Sequence, residues 1–168
     1  MNYIGIDPST KTGLVILNVE GNVLLEKEIT TKEKSDPARF VDITKQIIPF
    51  INEGDKVLIE GFSYGSRGRG VSTQYGIGWA IRIKLLKLVR SKYISDYIEV
   101  SPNTLKKFAT GKGNVKKEDM ILPINDRWGY RNGSDNIRDA YVLAQIGRAL
   151  DGHGKPAKAQ LACIKELG

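Results

Sequence analysis

Four carboxylates stand where hydrolytic chemistry could be built. Asp7 closes the apolar run Tyr3-Ile4-Gly5-Ile6, and Glu60 closes a second, Val57-Leu58-Ile59. Asp135 and Asp139 are four residues apart, hence on one face of a helix. An aspartate ending a core strand is costly to bury unpaired, which invites a cation. Carboxylates gathered without one repel each other, retain protons and weaken the fold. Hard oxygen donors of this kind suit Mg²⁺, with Mn²⁺ as a substitute, and two such ions about 3.5–4 Å apart can split a phosphodiester. One ion would orient and polarise water while the other stabilised the leaving 3′ oxygen. Plainer uses exist for each group. Asp7 could bond the turn amides before Ser9 and Thr10, Glu60 could face solvent, and Asp135 could cap its helix. Asp139 lies beside Ile137, Ala140, Tyr141 and Ala144 and is the hardest to assign to solvent. The chemical reading therefore depends on all four converging.

The elements that must position them follow from apolar periodicity and turn signals. Residues 3–7 and 13–17 read as two strands joined by a tight turn through Pro8, Ser9 and Thr10. Gly21-Asn22 turns the chain into a third strand at 23–29, completing an antiparallel meander. Asp36 and Pro37 start a helix, Asp36 as its cap, whose buried stripe is Phe40, Val41, Ile43, Thr44, Ile47, Ile48 and Ile51. A fourth strand spans 56–60. After a Gly/Arg-rich loop over 61–70 comes a long helix at about 73–92, apolar on more than one face. A fifth strand spans 97–100, and Ser101-Pro102 caps a short helix through Phe108. Further helices are expected at 115–128 and 135–150, with a short one at 157–167. Strands reached through helical crossovers should be parallel. The expected fold is an α/β mixed five-stranded sheet, three antiparallel strands then parallel ones, with helices on both faces.

Composition narrows the classes. With 168 residues, one domain with a real core is expected and two large lobes are excluded. The 26 Lys and Arg against 19 Asp and Glu leave a net charge of +7, which favours a polyanion, nucleic acid ahead of membrane. Cys163 stands alone, so no intrachain disulfide can form, as suits a reducing compartment. No apolar run reaches membrane-spanning length and the N-terminus lacks a signal-peptide layout. The expectation is a soluble, cytoplasmic protein without a membrane partner.

Four segments carry a more specific signal. Ile4-Gly5-Ile6-Asp7-Pro8-Ser9, Leu58-Ile59-Glu60, the run from Lys106-Lys107-Phe108 through Gly111-Lys112-Gly113 to Lys116-Lys117, and Asp135-Asn136-Ile137-Arg138-Asp139-Ala140 occur in that order. Together they resemble the RuvC-type Holliday-junction resolvases of the ribonuclease H-like superfamily, over residues 2–150. The resemblance implies one ribonuclease H-like nuclease domain (core 2–150, tail 151–168) and a homodimer that cuts two opposed strands of a four-way DNA junction. It places Asp7, Glu60 and Asp139 as metal ligands with Asp135 as the fourth. Family members commonly space the last two carboxylates three apart, where this chain has Asn136, so Asp135 and Asn136 compete for that role.

Lys106 and Lys117, eleven apart, match the two basic residues that such enzymes set beside the scissile phosphate. Lys107, Lys112 and Lys116 of the same segment are assigned to DNA contact. So are Arg67 and Arg69, whose glycine neighbours let backbone approach phosphates. In the family an aromatic near this point wedges into the junction centre; Phe62 and Tyr64 compete for that place, with Tyr64 favoured as the exposed one. The helix at 77–89 is where the resemblance puts the dimer contact. The loop does not copy the common bacterial sequence, which leans towards a viral member acting in a host cytoplasm. Rival readings are a nuclease of the same fold for other branched DNA or RNA–DNA hybrids, an actin-like ATPase, for which the chain has no second lobe, and a non-catalytic DNA-binding module, whose idle carboxylates would weaken DNA affinity.

Overall fold

The sheet holds its strands in the order β3-β2-β1-β4-β5. In this computed structural model, which describes residues 1–63 and 70–167, β1 (Tyr3–Asp7) and β2 (Thr12–Leu17) are buried at every position. Unbroken burial marks central strands covered on both faces, which is why they read as continuous apolar runs. The outer β3 (Val23–Ile29) is mostly exposed and carries Glu26, Lys27 and Glu28. β1 pairs antiparallel with β2 and β2 with β3, whereas β4 (Lys56–Glu60) and β5 (Tyr97–Val100) extend the sheet in parallel on the other side. The expected mixed topology is therefore the observed one.

Two apolar layers sandwich this sheet. Over one face lie α1 (Ala38–Ile47) and α2 (Val71–Arg90), packing Ile43, Ile47, Ile77, Ile81 and Leu85 onto Ile4, Ile6 and Ile59. Over the other lie α3 (Pro102–Thr110), α4 (Ile121–Trp128), α5 (Asp135–Leu150) and α6 (Lys158–Leu167), joined around Leu58, Phe108, Tyr141 and Leu143.

Some expectations are corrected. Asp36 does not cap α1; it bonds the Arg39 and Thr73 side chains, and Pro37 holds the cap position. Val41 leaves the buried stripe and is half exposed, because α1 turns only Ile43, Thr44 and Ile47 fully inward. The helix expected from residue 115 is a 3-10 turn at Glu118–Met120 followed by α4, so Lys117 sits before it.

Contact between α5 and the sheet positions half the site, and glycines permit it. A Cβ on Gly5 would lie 1.8 Å from the Ala140 carbonyl oxygen, and one on Gly13 would lie 2.0 Å from that of Asn136. Both obstacles are helix backbone, which cannot swing aside. Gly5→Ala is expected to destabilise the protein at or beyond the upper end of the roughly 1–3 kcal/mol usual for overpacking, read as a lower urea midpoint. A midpoint within error of the unsubstituted protein would show that α5 can lift off the sheet without loss.

Candidate active site

Parallel pairing of β1 with β4 runs up to Ile6 opposite Ile59, so the next residues, Asp7 and Glu60, end their strands side by side. The turn after Asp7 is closed by other groups. Ser9 N–H donates to Thr12 Oγ1, Thr12 Oγ1 donates to the Ser9 carbonyl, and Lys11 N–H donates to Ser9 Oγ. Asp7, buried at 4% exposure, instead hydrogen-bonds the Glu60 carboxyl. Two carboxyl groups can bond only if a proton lies between them. Burial first, then the Glu60 charge, holds Asp7 well above the usual carboxylate range. Burial also raises Glu60; the bond from Asp7 opposes that rise and the Asp139 charge adds to it.

The second pair of acids comes from the start of α5. Ser134 caps that helix, its Oγ accepting from the Ile137 amide. Asp135 is thereby released from the capping role considered for it. Asp139 lies one turn on, 5% exposed, and burial followed by the Asp7 charge pushes its pKa up to about 7. Lys117 reaches between the two acids. Its Nζ is 2.6 Å from Asp135 Oδ2 and 3.6 Å from Asp139 Oδ2. Burial opposes its charge, but the bond to Asp135 and the charges of Asp139 and Asp7 leave its pKa raised. The same bond lowers Asp135.

These four acids thus occupy one electrostatic neighbourhood, as two pairs. Among the described residues no group of three Asp, Glu, His or Cys side chains is drawn close enough to hold an ion outright. Burial favours the protonated forms of Asp7 and Glu60, and the Lys117 ammonium lies within reach of both Asp135 and Asp139. Proton and ammonium are the two ways an anionic cluster can be neutralised from within the chain.

Glu60, Asp139, Lys117 and Lys106 line one cleft of about 250 Å³, together with Phe62 and Arg82. The Lys106 charge is felt at Glu60. Lys107 points elsewhere, to Glu166 of α6 at 3.1 Å. Lys112 and Lys116 are exposed on the link before α4. Phe62 is half-buried against Tyr75 and Trp79. Tyr64, Arg67 and Arg69 lie outside the described residues.

Sequence reasoning missed Arg82. Its guanidinium is 2% exposed, donates to the Glu60 carbonyl at 2.9 Å and to Glu99 at 2.8 Å, and lies under the Phe62 ring. The available signal was its place on the Gly78–Arg82–Leu85 stripe, the same face that buries Ile81.

No family model matches the chain. It is 29% identical over 152 residues to the crossover junction endodeoxyribonuclease RuvC of Ehrlichia canis (strain Jake), covering 86% of this chain and 94% of that protein. The fold matches Thermus thermophilus RuvC with a TM-score of 0.68 at 20% identity, over 94% of this chain and all of that one. Against T. thermophilus RuvC in complex with a Holliday junction substrate the TM-score is 0.61 at 22% identity, over 94% and 99% of the two chains. The architecture is accordingly ribonuclease H-like.

Proposed function

Because this chain is a homologue of the RuvC crossover junction endodeoxyribonucleases, we propose that it resolves four-way DNA junctions by metal-dependent phosphodiester hydrolysis. The observation that carries the reading is the meeting of Asp7, Glu60, Asp135 and Asp139 with Lys117 at one cleft edge. The donor set fits a hard divalent cation: it offers oxygens only, and burial, then the charge of a neighbouring acid, raises Asp7 and Asp139. Asp7, Glu60 and Asp139 would hold it, with Asp135 as the fourth ligand in preference to Asn136. Two Mg²⁺ ions there, or Mn²⁺ in their place, would supply an activated water and stabilise the leaving 3′ oxygen.

The protein's own groups do the rest. Asp7 and Glu60, both raised by burial, must ionise to hold a cation, so the active form is favoured by higher pH. Lys117 is half exposed and can turn from Asp135 towards a phosphate, while Lys106 flanks the cleft on α3. A lysine serves as a point charge on the scissile phosphate and the developing transition state. Lys117→Ala is expected to slow cutting by about 10²-fold while changing junction affinity little, measured by single-turnover cleavage beside gel retardation. Equal losses in both would make Lys117 an ordinary phosphate contact.

Phosphate tracking belongs to Arg67, Arg69, Lys112 and Lys116, with Lys107 recruited if Glu166 yields it. Phe62 or Tyr64 would stack on an opened base, a contact worth about 1–3 kcal/mol. Cutting both strands needs two sites, so a homodimer is part of the reading. It is supported by the outward α2 residues Trp79, Ile83 and Leu86, which are 56%, 54% and 40% exposed. Residues 1–168 act as one nuclease domain, with α6 of the tail docked on α3. Among the described residues no helix is long and apolar enough to cross a membrane, and a DNA substrate with a lone buried thiol suits the cytoplasm. The deciding assay offers four-way junctions, flaps and RNA–DNA hybrids with Mg²⁺ and with Ca²⁺. Paired nicks in the junction, with Mg²⁺ alone, support the proposal; preferential cutting of flaps or hybrids overturns it.

A further inference from the structure

A guanidinium sits almost wholly out of water beside the cleft, and nothing in the proposed reaction yet uses it. Arg82 Nη2 donates to the Glu60 carbonyl and to Glu99 Oε2, and Nη1 donates to the Gly78 carbonyl at 3.1 Å. Among the described residues its Nε is the one buried side-chain polar atom with no hydrogen-bond partner. An apolar side chain would fill this gap between sheet and helix at lower cost, since burying a guanidinium with an unmet donor is unfavourable. A second cost lies on the same helix. Gly78, mid-α2, weakens the helix by about 1 kcal/mol relative to alanine. A Cβ there would come within 2.6 Å of the Phe62 ring, which lies 4.1 Å from the Arg82 guanidinium. Departures from local rules of this kind concentrate where function demands them.

We propose that Arg82 is a positioning residue: it fixes the end of β4, and so the direction from which Glu60 and Phe62 enter the cleft. Its fork spans three partners on three elements, α2, β4 and β5, and closes over the last residues before the loop. The Glu60 carbonyl and the Phe62 ring meet on one rigid plane, two residues apart in sequence. Displacing the Phe62 ring would therefore disturb the backbone that aims the Glu60 carboxylate. A lysine could keep the charge but not the three-way fork. The link from Glu60 position to rate rests on the nuclease reading; the link from Arg82 to the β4 end does not.

Both links are tested with Arg82→Met and Arg82→Lys. The Gly61 amide, next after Glu60, donates to the Val100 carbonyl at 2.7 Å and reports the β4 end. In Arg82→Met its hydrogen exchange is expected to quicken by about tenfold or more while the Leu58 amide is unchanged. Single-turnover junction cutting at saturating protein should fall by about tenfold or more, with affinity within about twofold, since small misplacement of a reacting group is costly. Arg82→Lys should recover less than half of either effect, and it carries the same comparison if the methionine variant does not fold. Unchanged Gly61 exchange, or equal quickening at Gly61 and Leu58, would reduce Arg82 to a stability role and overturn the proposal. Altered Gly61 exchange with unchanged cutting would overturn the link to the reaction. Failure of the unsubstituted protein to cut any junction would instead sink the nuclease reading, and the exchange comparison would still decide the positioning.

Discussion

Asp7→Asn is expected to bind a four-way junction at least as tightly as the unsubstituted protein and to cut it about 10²–10³-fold more slowly, or not measurably. Asparagine keeps the shape of the side chain and loses its charge. Asp7 is the acid that most of the others feel: it hydrogen-bonds Glu60 and its charge acts on Asp139 and Lys117. Without it, the proposed cation loses a ligand and Glu60 loses its carboxyl partner. Binding should survive because Asp7 is buried and the proposed phosphate contacts are exposed lysines; removing an anion near DNA can only lessen repulsion. Cutting and retardation of one end-labelled junction measure both quantities. Retained cutting would remove Asp7 from the mechanism.

A second large effect concerns stability. Asp139 titrates near pH 7 in the folded protein against 3.8 for the free side chain. A carboxyl group raised on folding contributes stability that is fully present below the unfolded value and is lost as pH rises through the folded one. Asp7 and Glu60 are moved in the same direction. Asp135 is moved oppositely, so its contribution is lost only on acidification below the ordinary carboxylate range. In chelator, therefore, stability should fall between about pH 4 and pH 7. Asp139 accounts for at most about 4 kcal/mol of that fall, at roughly 1.4 kcal/mol for each tenfold change in proton affinity on folding. Asp139→Asn should raise the urea midpoint at pH 8 and leave it little changed near pH 4. Saturating Mg²⁺ should restore the unsubstituted protein at pH 8, since a ligand of the folded state stabilises it. A midpoint that climbs from pH 5 to pH 8 in chelator would contradict the clustering of these acids.

Much of this arrangement is written locally in the chain. The strand pair ending on Asp7 and Glu60 is legible because fully buried strands are unbroken apolar runs and their ends are abrupt. The bounds of β4, β5 and α5 follow from the same contrast. What is not legible depends on contacts distant in sequence. Asp36 looks like a helix cap until Arg39 and Thr73 claim it. A helix is expected from residue 115, yet the chain there forms only a 3-10 turn, and Lys117 meets acids eighteen and more residues away. Arg82 hides among Lys84, Lys87 and Arg90, where a solvated face is the ordinary expectation, and only the meeting of α2 with β4 and β5 distinguishes it. The pairing of the four acids, as two couples rather than one cage, is likewise set by where α5 rests on Gly5 and Gly13.

The most direct test of a shared cation site is Mn²⁺ binding at pH 8, followed by electron paramagnetic resonance, in the unsubstituted protein and in Asp7→Asn. The expected result is saturable binding that weakens by at least about tenfold in the variant, as the loss of a ligand requires. Identical isotherms for the two proteins, or no saturable binding in either, would contradict the account.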